Sequence, residues 1–237
     1  MKLYVLGAGG PPPSKSRYGA SFVLQIGEDY LLFDCGPATT YKMAHLGILP
    51  TWINWLFFTH HHFDHNADYP CFILTRWDSG NGTEGRLQVF GPPPTRLITE
   101  RLIGEQGAFV DDWKARIGHP ASQHKHQSRG GTLPRPKPSV NAADIEGGEV
   151  TKNPCWSVTA RRVHHVDPWL KSLAFRLDSG EGSFMYAGDA GPCPEIPDLA
   201  RGVDTLLIGA AYHQHMDVNP LVADVSTGSL GKTIKTR

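Results

Sequence analysis

A layered α/β fold is what this chain predicts, on three observations. Ile53 to Phe58 is an apolar run of strand length that passes straight into Thr59-His60-His61-His62-Phe63-Asp64-His65, and a helix carrying Phe72, Ile73, Leu74 and Trp77 follows. Other short apolar runs also end in polar groups, at Asp34, at His164-His165 and at Gly188-Asp189. The 237 residues, 40% of them hydrophobic, suffice for one large domain, 1–237, with a substantial core. Strand ends that feed helix starts are where α/β proteins build their sites.

Taken in order, Leu3 to Leu6 reads as a short strand broken by Gly7-Ala8-Gly9-Gly10-Pro11-Pro12-Pro13. That stretch lacks the Gly-Lys-Ser/Thr of a phosphate cradle and reads as a tight turn near the site. Ser21 to Ile26 and Tyr30 to Phe33 form a hairpin around Gly27-Glu28-Asp29. Thr39 or Thr40 caps a helix that runs to about Leu46 and stops at Gly47. Beyond the central motif, Leu87 to Phe90 is a strand closed by Gly91-Pro92-Pro93-Pro94, and Thr95 caps a helix through Leu97, Ile98, Leu102 and Ile103. The later strands are Ser157 to Val163, Leu173 to Leu177, Ser183 to Ala187 and Thr205 to Ile208. Ser226 can cap a last helix through Leu230 and Ile234.

Residues 113–139 stand apart as a basic loop insertion. They hold Lys114, Arg116, Lys125, Arg129, Arg135 and Lys137, with no Asp or Glu. Gly130-Gly131 and the prolines beyond argue against regular structure in the second half, so the segment reads as a lid or a disordered loop with solvated cations. His119, His124 and His126 read as solvated too.

Bulk properties narrow the partners. Formal net charge is zero, which draws the chain neither to nucleic acid nor to anionic membrane. No apolar run approaches the roughly 18–20 residues of a membrane span, and the first residues lack the apolar stretch of a secretory signal. Cys35, Cys71, Cys155 and Cys193 are widely spaced, as bystander thiols in a reducing cytoplasm would be.

The central motif carries the chemistry. Four histidines and an aspartate within six residues, behind a buried strand, are good ligands for a borderline-soft divalent metal such as zinc. His60 and His62 stand two apart and Asp64 and His65 are adjacent, so one loop presents two ligand pairs. Thr-His-x-His-x-Asp-His resembles the signature of the metallo-β-lactamase superfamily, with His61 at a variable position. Leu32-Phe33-Asp34-Cys35-Gly36, Val163-His164-His165 and Tyr186-Ala187-Gly188-Asp189 resemble its other motifs. Leu173-Ala174-Phe175-Arg176 and the Gly188-Asp189 turn are similar to the ribonuclease Z and arylsulfatase-like branch.

The resemblance implies a four-layered αββα sandwich and one or two zinc ions, with manganese or iron as substitutes. His60, His62 and His165 would hold one ion, with His164 as the alternative to His165. Asp64, His65 and the bridging Asp189 would hold the second, and Asp34 would orient a ligand histidine from behind. Asp64 and His65 would be the catalytic pair, Asp64 taking a proton from a metal-bound hydroxide. The family's last strand and its metal-binding histidine have no counterpart after residue 226, so the fold reads as C-terminally incomplete. The missing histidine would weaken the second ion, and the open edge would favour association into a homo-oligomer. His213 and His215 do not align with the missing ligand, though either could reach the site from a loop. The substrate reads first as a small phosphodiester, sulfate or carboxylic ester. A tRNA 3′-processing endonuclease ranks second, because the family's tRNA-gripping arm lies between the positions of His165 and Asp189 and only two strands fit there. A truncated metal-binding protein with little activity is the third reading.

Overall fold

The computed structural model describes residues 1–12 and 17–209. They form two compact units. Lys2–Phe58 and His62–Asp144 make the first; Met1, Thr59–His61 and residues 145–209 make the second. The helix expected from Ser226 and the two histidines His213 and His215 lie outside the described residues.

The first unit is built on a six-stranded sheet. Its strands are β1 (Lys2–Gly7), β2 (Ser21–Ile26), β3 (Asp29–Phe33), β4 (Ile53–Phe57), β5 (Leu87–Gly91) and β6 (Val140–Asp144), in that spatial order. The first three pair antiparallel, and β3 through β6 run parallel. Parallel neighbours need crossovers. These are α1 (Thr39–His45), then α2 (Phe63–Asn66) with α3 (Tyr69–Gly80), then α4 (Thr95–Ile103), α5 (Val110–Gly118) and α6 (Pro120–Ser128). In register, Phe33 faces Phe57 and Phe57 faces Phe90, and their rings stack at 5.1 and 5.6 Å. The carboxyl ends of β3, β4 and β5 therefore finish side by side, as an α/β site requires. Leu32, Leu56, Phe58, Tyr69, Phe72 and Val89 fill the core beneath them.

Four local readings need correction. Thr39 does not cap α1 through its side chain; its hydroxyl donates to the Gly36 carbonyl, and the Thr40 N–H is taken instead by Asp68 at 2.6 Å. Thr95 likewise turns to Pro92, and Asp144 receives the Arg96 N–H at 2.9 Å. Both caps come from carboxylates remote in sequence. Residues 113–128 are not a loop but most of α5 and α6, with His119 capping α6 by accepting from the Ala121 N–H. Finally, five of the six cations there are paired. Arg116, Arg129 and Arg135 converge on Asp78, and Lys114 and Lys137 on Glu105. His126 is buried.

The second unit holds β7 (Gly148–Lys152), β8 (Trp156–Val163), β9 (Ser172–Ser179), β10 (Gly182–Tyr186), α7 (Glu195–Ala200) and β11 (Thr205–Leu207). Its five-stranded sheet has the order β11-β10-β9-β8-β7, antiparallel except for the β10–β11 pair, which α7 connects. Val163, Ala174, Met185, Leu199 and Val203 form the core between α7 and the sheet. Arg176 on β9 ends α7 by donating to the carbonyls of Leu199 and Arg201.

Candidate metal centre

In the first unit the site grows from the end of β3. Asp34 follows that strand at φ 56°, in the left-handed region that a non-glycine residue seldom occupies. Its N–H is anchored on the Phe57 carbonyl at 2.9 Å, which turns the carboxylate toward the loop after β4. There Asp34 Oδ2 meets His65 Nδ1 at 2.7 Å, both groups fully buried. A carboxylate only accepts, so Nδ1 carries the hydrogen and Nε2 presents its lone pair. The Cys35 N–H donates to the His65 carbonyl and the Asp68 N–H to the Cys35 carbonyl, which locks α2 and the start of α3 onto this loop.

The Asp64 carbonyl packs directly on glycine. A Cβ at Gly36 would stand 2.1 Å from that oxygen, and one at Gly19 2.3 Å. Gly36 belongs to the Asp34-Cys35-Gly36 motif, but nothing local in the sequence marked Gly19.

Asp64 decides whether these groups suit a metal ion. It is 2% exposed, and neither carboxylate oxygen has a hydrogen-bond partner. Buried charge without hydrogen bonds is normally paired or coordinates a metal. His65 Nε2 lies 3.7 Å from Asp64 Oδ2, too far for a hydrogen bond. That separation suits two donors to one ion with bonds of about 2 Å. The residues present fit a divalent cation.

The second unit supplies its own ligand-type groups. His60 is fully buried, and its Nδ1 pairs with Thr59 Oγ1 at 3.1 Å. Its ring meets that of His165 edge-on at 5.0 Å. A ring nitrogen of His60 lies within 4.8 Å of one on His165 and within 4.8 Å of an Asp189 carboxylate oxygen. Thr59 holds this arrangement, accepting the Leu173 N–H at 2.8 Å and packing under Gly188. A Cβ at Gly188 (φ 60°) would meet the Thr59 side chain at 2.7 Å. His164 is turned away, its side chain 68% exposed and paired with Asp167 at 3.2 Å. His61 and His62 are half-buried.

Comparison with known proteins gives the kinship. A family model described as anti-Pycsar protein Apyc1 matches residues 1–76. Ribonuclease Z of Mycobacterium sp. strain KMS is 31% identical over 225 residues, which is 93% of this chain and 72% of that protein. The chain belongs to the ribonuclease Z family. Among solved structures, human tRNase Z, short form, matches with a TM-score of 0.61 at 18% identity, covering 87% of this chain and 76% of that one. YhfI from Bacillus subtilis, a metallo-β-lactamase-fold protein, matches at 0.61 and 17%, covering 86% and 69%. The metallo-β-lactamase fold read from the sequence is thus the fold of this chain, and the protein is a metal-dependent hydrolase. No helix among the described residues is long and apolar enough to cross a membrane.

Proposed function

We propose that the protein is a phosphodiesterase of ribonuclease Z type whose substrate is RNA. The observation that carries this reading is the 31% identity to ribonuclease Z across 93% of the chain. It reverses the order read from the sequence, which put a small ester first and nucleic acid second.

His60, His62 and His165 would hold one divalent ion, and Asp64, His65 and Asp189 the other, with Asp189 shared. Zinc is the ion this His/Asp set suits best. When bound, the pair supplies an activated water for in-line attack and positive charge for the phosphate oxygens. The chain's own residues do the rest. Asp34 holds the His65 ring in one tautomer and one orientation. The carboxylate of Asp64, buried and without a hydrogen bond, would take the proton of the attacking water. Thr59 fixes His60. RNA processing would agree with the reducing cytoplasm inferred from the scattered cysteines, all four of which are free.

A second reading, a small phosphodiester as substrate, is favoured by one observation. The stretch from His165 to Asp189 is filled by β9, β10 and their turns, where the family's tRNA-gripping arm would lie. Comparing kcat/KM of the zinc-loaded protein on a precursor tRNA with a 3′ trailer and on a bis-aryl phosphodiester tests the two. Accurate cleavage at the tRNA 3′ end supports the first reading. Turnover of the small diester alone supports the second.

A further inference from the structure

Within the first unit, a recess of about 100 Å³ is lined by Asp78, Arg116, Lys125, His126, Arg129 and Arg135. None of these residues belongs to the metal set. Four cations face one carboxylate there. Asp78 Oδ1 lies 2.9 Å from Arg135 Nη2 and 3.5 Å from Arg116 Nη1, and its Oδ2 lies 3.7 Å from Arg129 Nη1. Asp112 takes a share of Arg116, at 3.0 Å from Nε. Even so, one or two carboxylates cannot neutralise three guanidinium groups and an ammonium, and the excess positive charge faces a concavity.

Two buried side chains in the lining lack a partner at one nitrogen. Arg135 is 5% exposed; its guanidinium lies over the Trp77 ring at 3.9 Å, its Nη2 bonds Asp78, and its Nε–H meets no acceptor. His126 is 3% exposed; its Nε2 donates to the Thr132 carbonyl at 3.2 Å, and its Nδ1 is unpartnered. The buried Arg135 Nε–H is a donor left unmade, which is costly, and an oxyanion answers it together with the surplus charge. His126 Nδ1, bare when Nε2 carries the hydrogen, is an acceptor and adds nothing to anion binding. Arginine forks match the oxygens of a phosphate in particular.

We propose that this recess is a phosphate-binding site, distinct from the metal centre, that takes a backbone phosphate of RNA. The RNA source rests on the ribonuclease Z reading; recognition of phosphate does not. Arg116 and Arg129 are the residues to change, since their side chains are 45% and 42% exposed.

Parent protein and the Arg116→Gln/Arg129→Gln variant are titrated with inorganic phosphate. Both are then titrated with a single-stranded RNA oligonucleotide over a range of salt concentrations. Phosphate affinity is expected to fall about tenfold or more in the variant. The slope of log affinity against log salt for RNA is expected to flatten by about 0.7 for each RNA phosphate that the variant no longer neutralises. Turnover of the bis-aryl phosphodiester stays unchanged. Weakened phosphate binding with an unaltered RNA slope keeps the site and overturns RNA as its source. Equal phosphate affinity in both proteins, or no binding by the parent at millimolar phosphate, overturns the site. A lower melting temperature with unchanged phosphate affinity also overturns it, and leaves the arginines as a clamp on Asp78.

Discussion

Asp34 Oδ2 and His65 Nδ1 form a 2.7 Å hydrogen bond in which both partners are excluded from solvent. The bond fixes which nitrogen of His65 presents a lone pair, so Asp34 would act on a bound metal through His65. Asp34→Asn keeps a residue that tolerates the left-handed backbone but offers an amide in place of a pure acceptor. Zinc affinity, measured by chelator competition, should fall about 10–100-fold with little change in apo-protein stability. Unchanged affinity would remove the positioning role.

Asp64 makes a prediction of opposite signs. Its buried carboxylate, without a hydrogen bond, opposes folding in the absence of metal. Asp64→Asn should therefore unfold at the same temperature as the metal-free parent or a few degrees higher, while losing the stabilisation that added zinc gives the parent. Thermal scans with and without zinc check both halves. Equal zinc stabilisation in parent and variant would mean that Asp64 is no ligand.

His164 and His165 are adjacent, and the structure separates them. His165 should be the ligand, because its ring packs against His60 whereas His164 faces solvent and pairs with Asp167. His165→Ala should lose most bound metal and activity, and His164→Ala should stay within a few-fold of the parent. Metal analysis of the two variants decides, and the reverse ranking would move the ligand to His164.

The strands that carry the site were legible because each is an apolar run with a polar residue at its end, as in Leu31-Leu32-Phe33-Asp34 and Trp55-Leu56-Phe57. The strand β6, Val140-Asn141-Ala142-Ala143-Asp144, has little such pattern and is a strand because β5 offers it a parallel partner from Leu87 to Gly91. In the same way α6 (Pro120–Ser128) lacks an apolar stripe and buries His126 instead. The capping carboxylates Asp68 and Asp144 reach helices 28 and 48 residues away, which no local signature encodes. The metal motifs were read from chemistry and resemblance. The support behind them, Thr59 beneath Gly188 and Gly19 beneath the Asp64 carbonyl, becomes visible only when the chain is folded.

Gly36→Ala tests that support. The added methyl would press on the Asp64 carbonyl at 2.1 Å and on the backbone of Gly19 and Ala20. Overpacking of this kind costs about 1–3 kcal/mol or more. Denaturant unfolding should show the loss, and zinc affinity should fall with it. A stable variant with intact zinc binding would show that this loop can move aside.

Asp78 predicts part of the acid limb of stability. Burial raises its carboxyl pKa, but Arg135, Arg116 and Arg129 outweigh burial and hold it below the ordinary value. A folded-state pKa below the unfolded one adds stability that is fully present above the unfolded value of about 3.9 and is lost as pH falls through the folded one. Asp78→Asn should flatten the stability curve below about pH 4. An unaltered acid limb would mean that the three arginines contribute nothing through this group.

The most direct measurement is cleavage of a precursor tRNA by purified protein before chelation, after chelation and after zinc is restored. Accurate cleavage at the 3′ end is expected, abolished by chelation and restored by zinc, and absent from His62→Ala and Asp64→Ala under all three conditions. Cleavage that survives chelation, or that survives in both variants, would contradict a metal-dependent ribonuclease built on these residues.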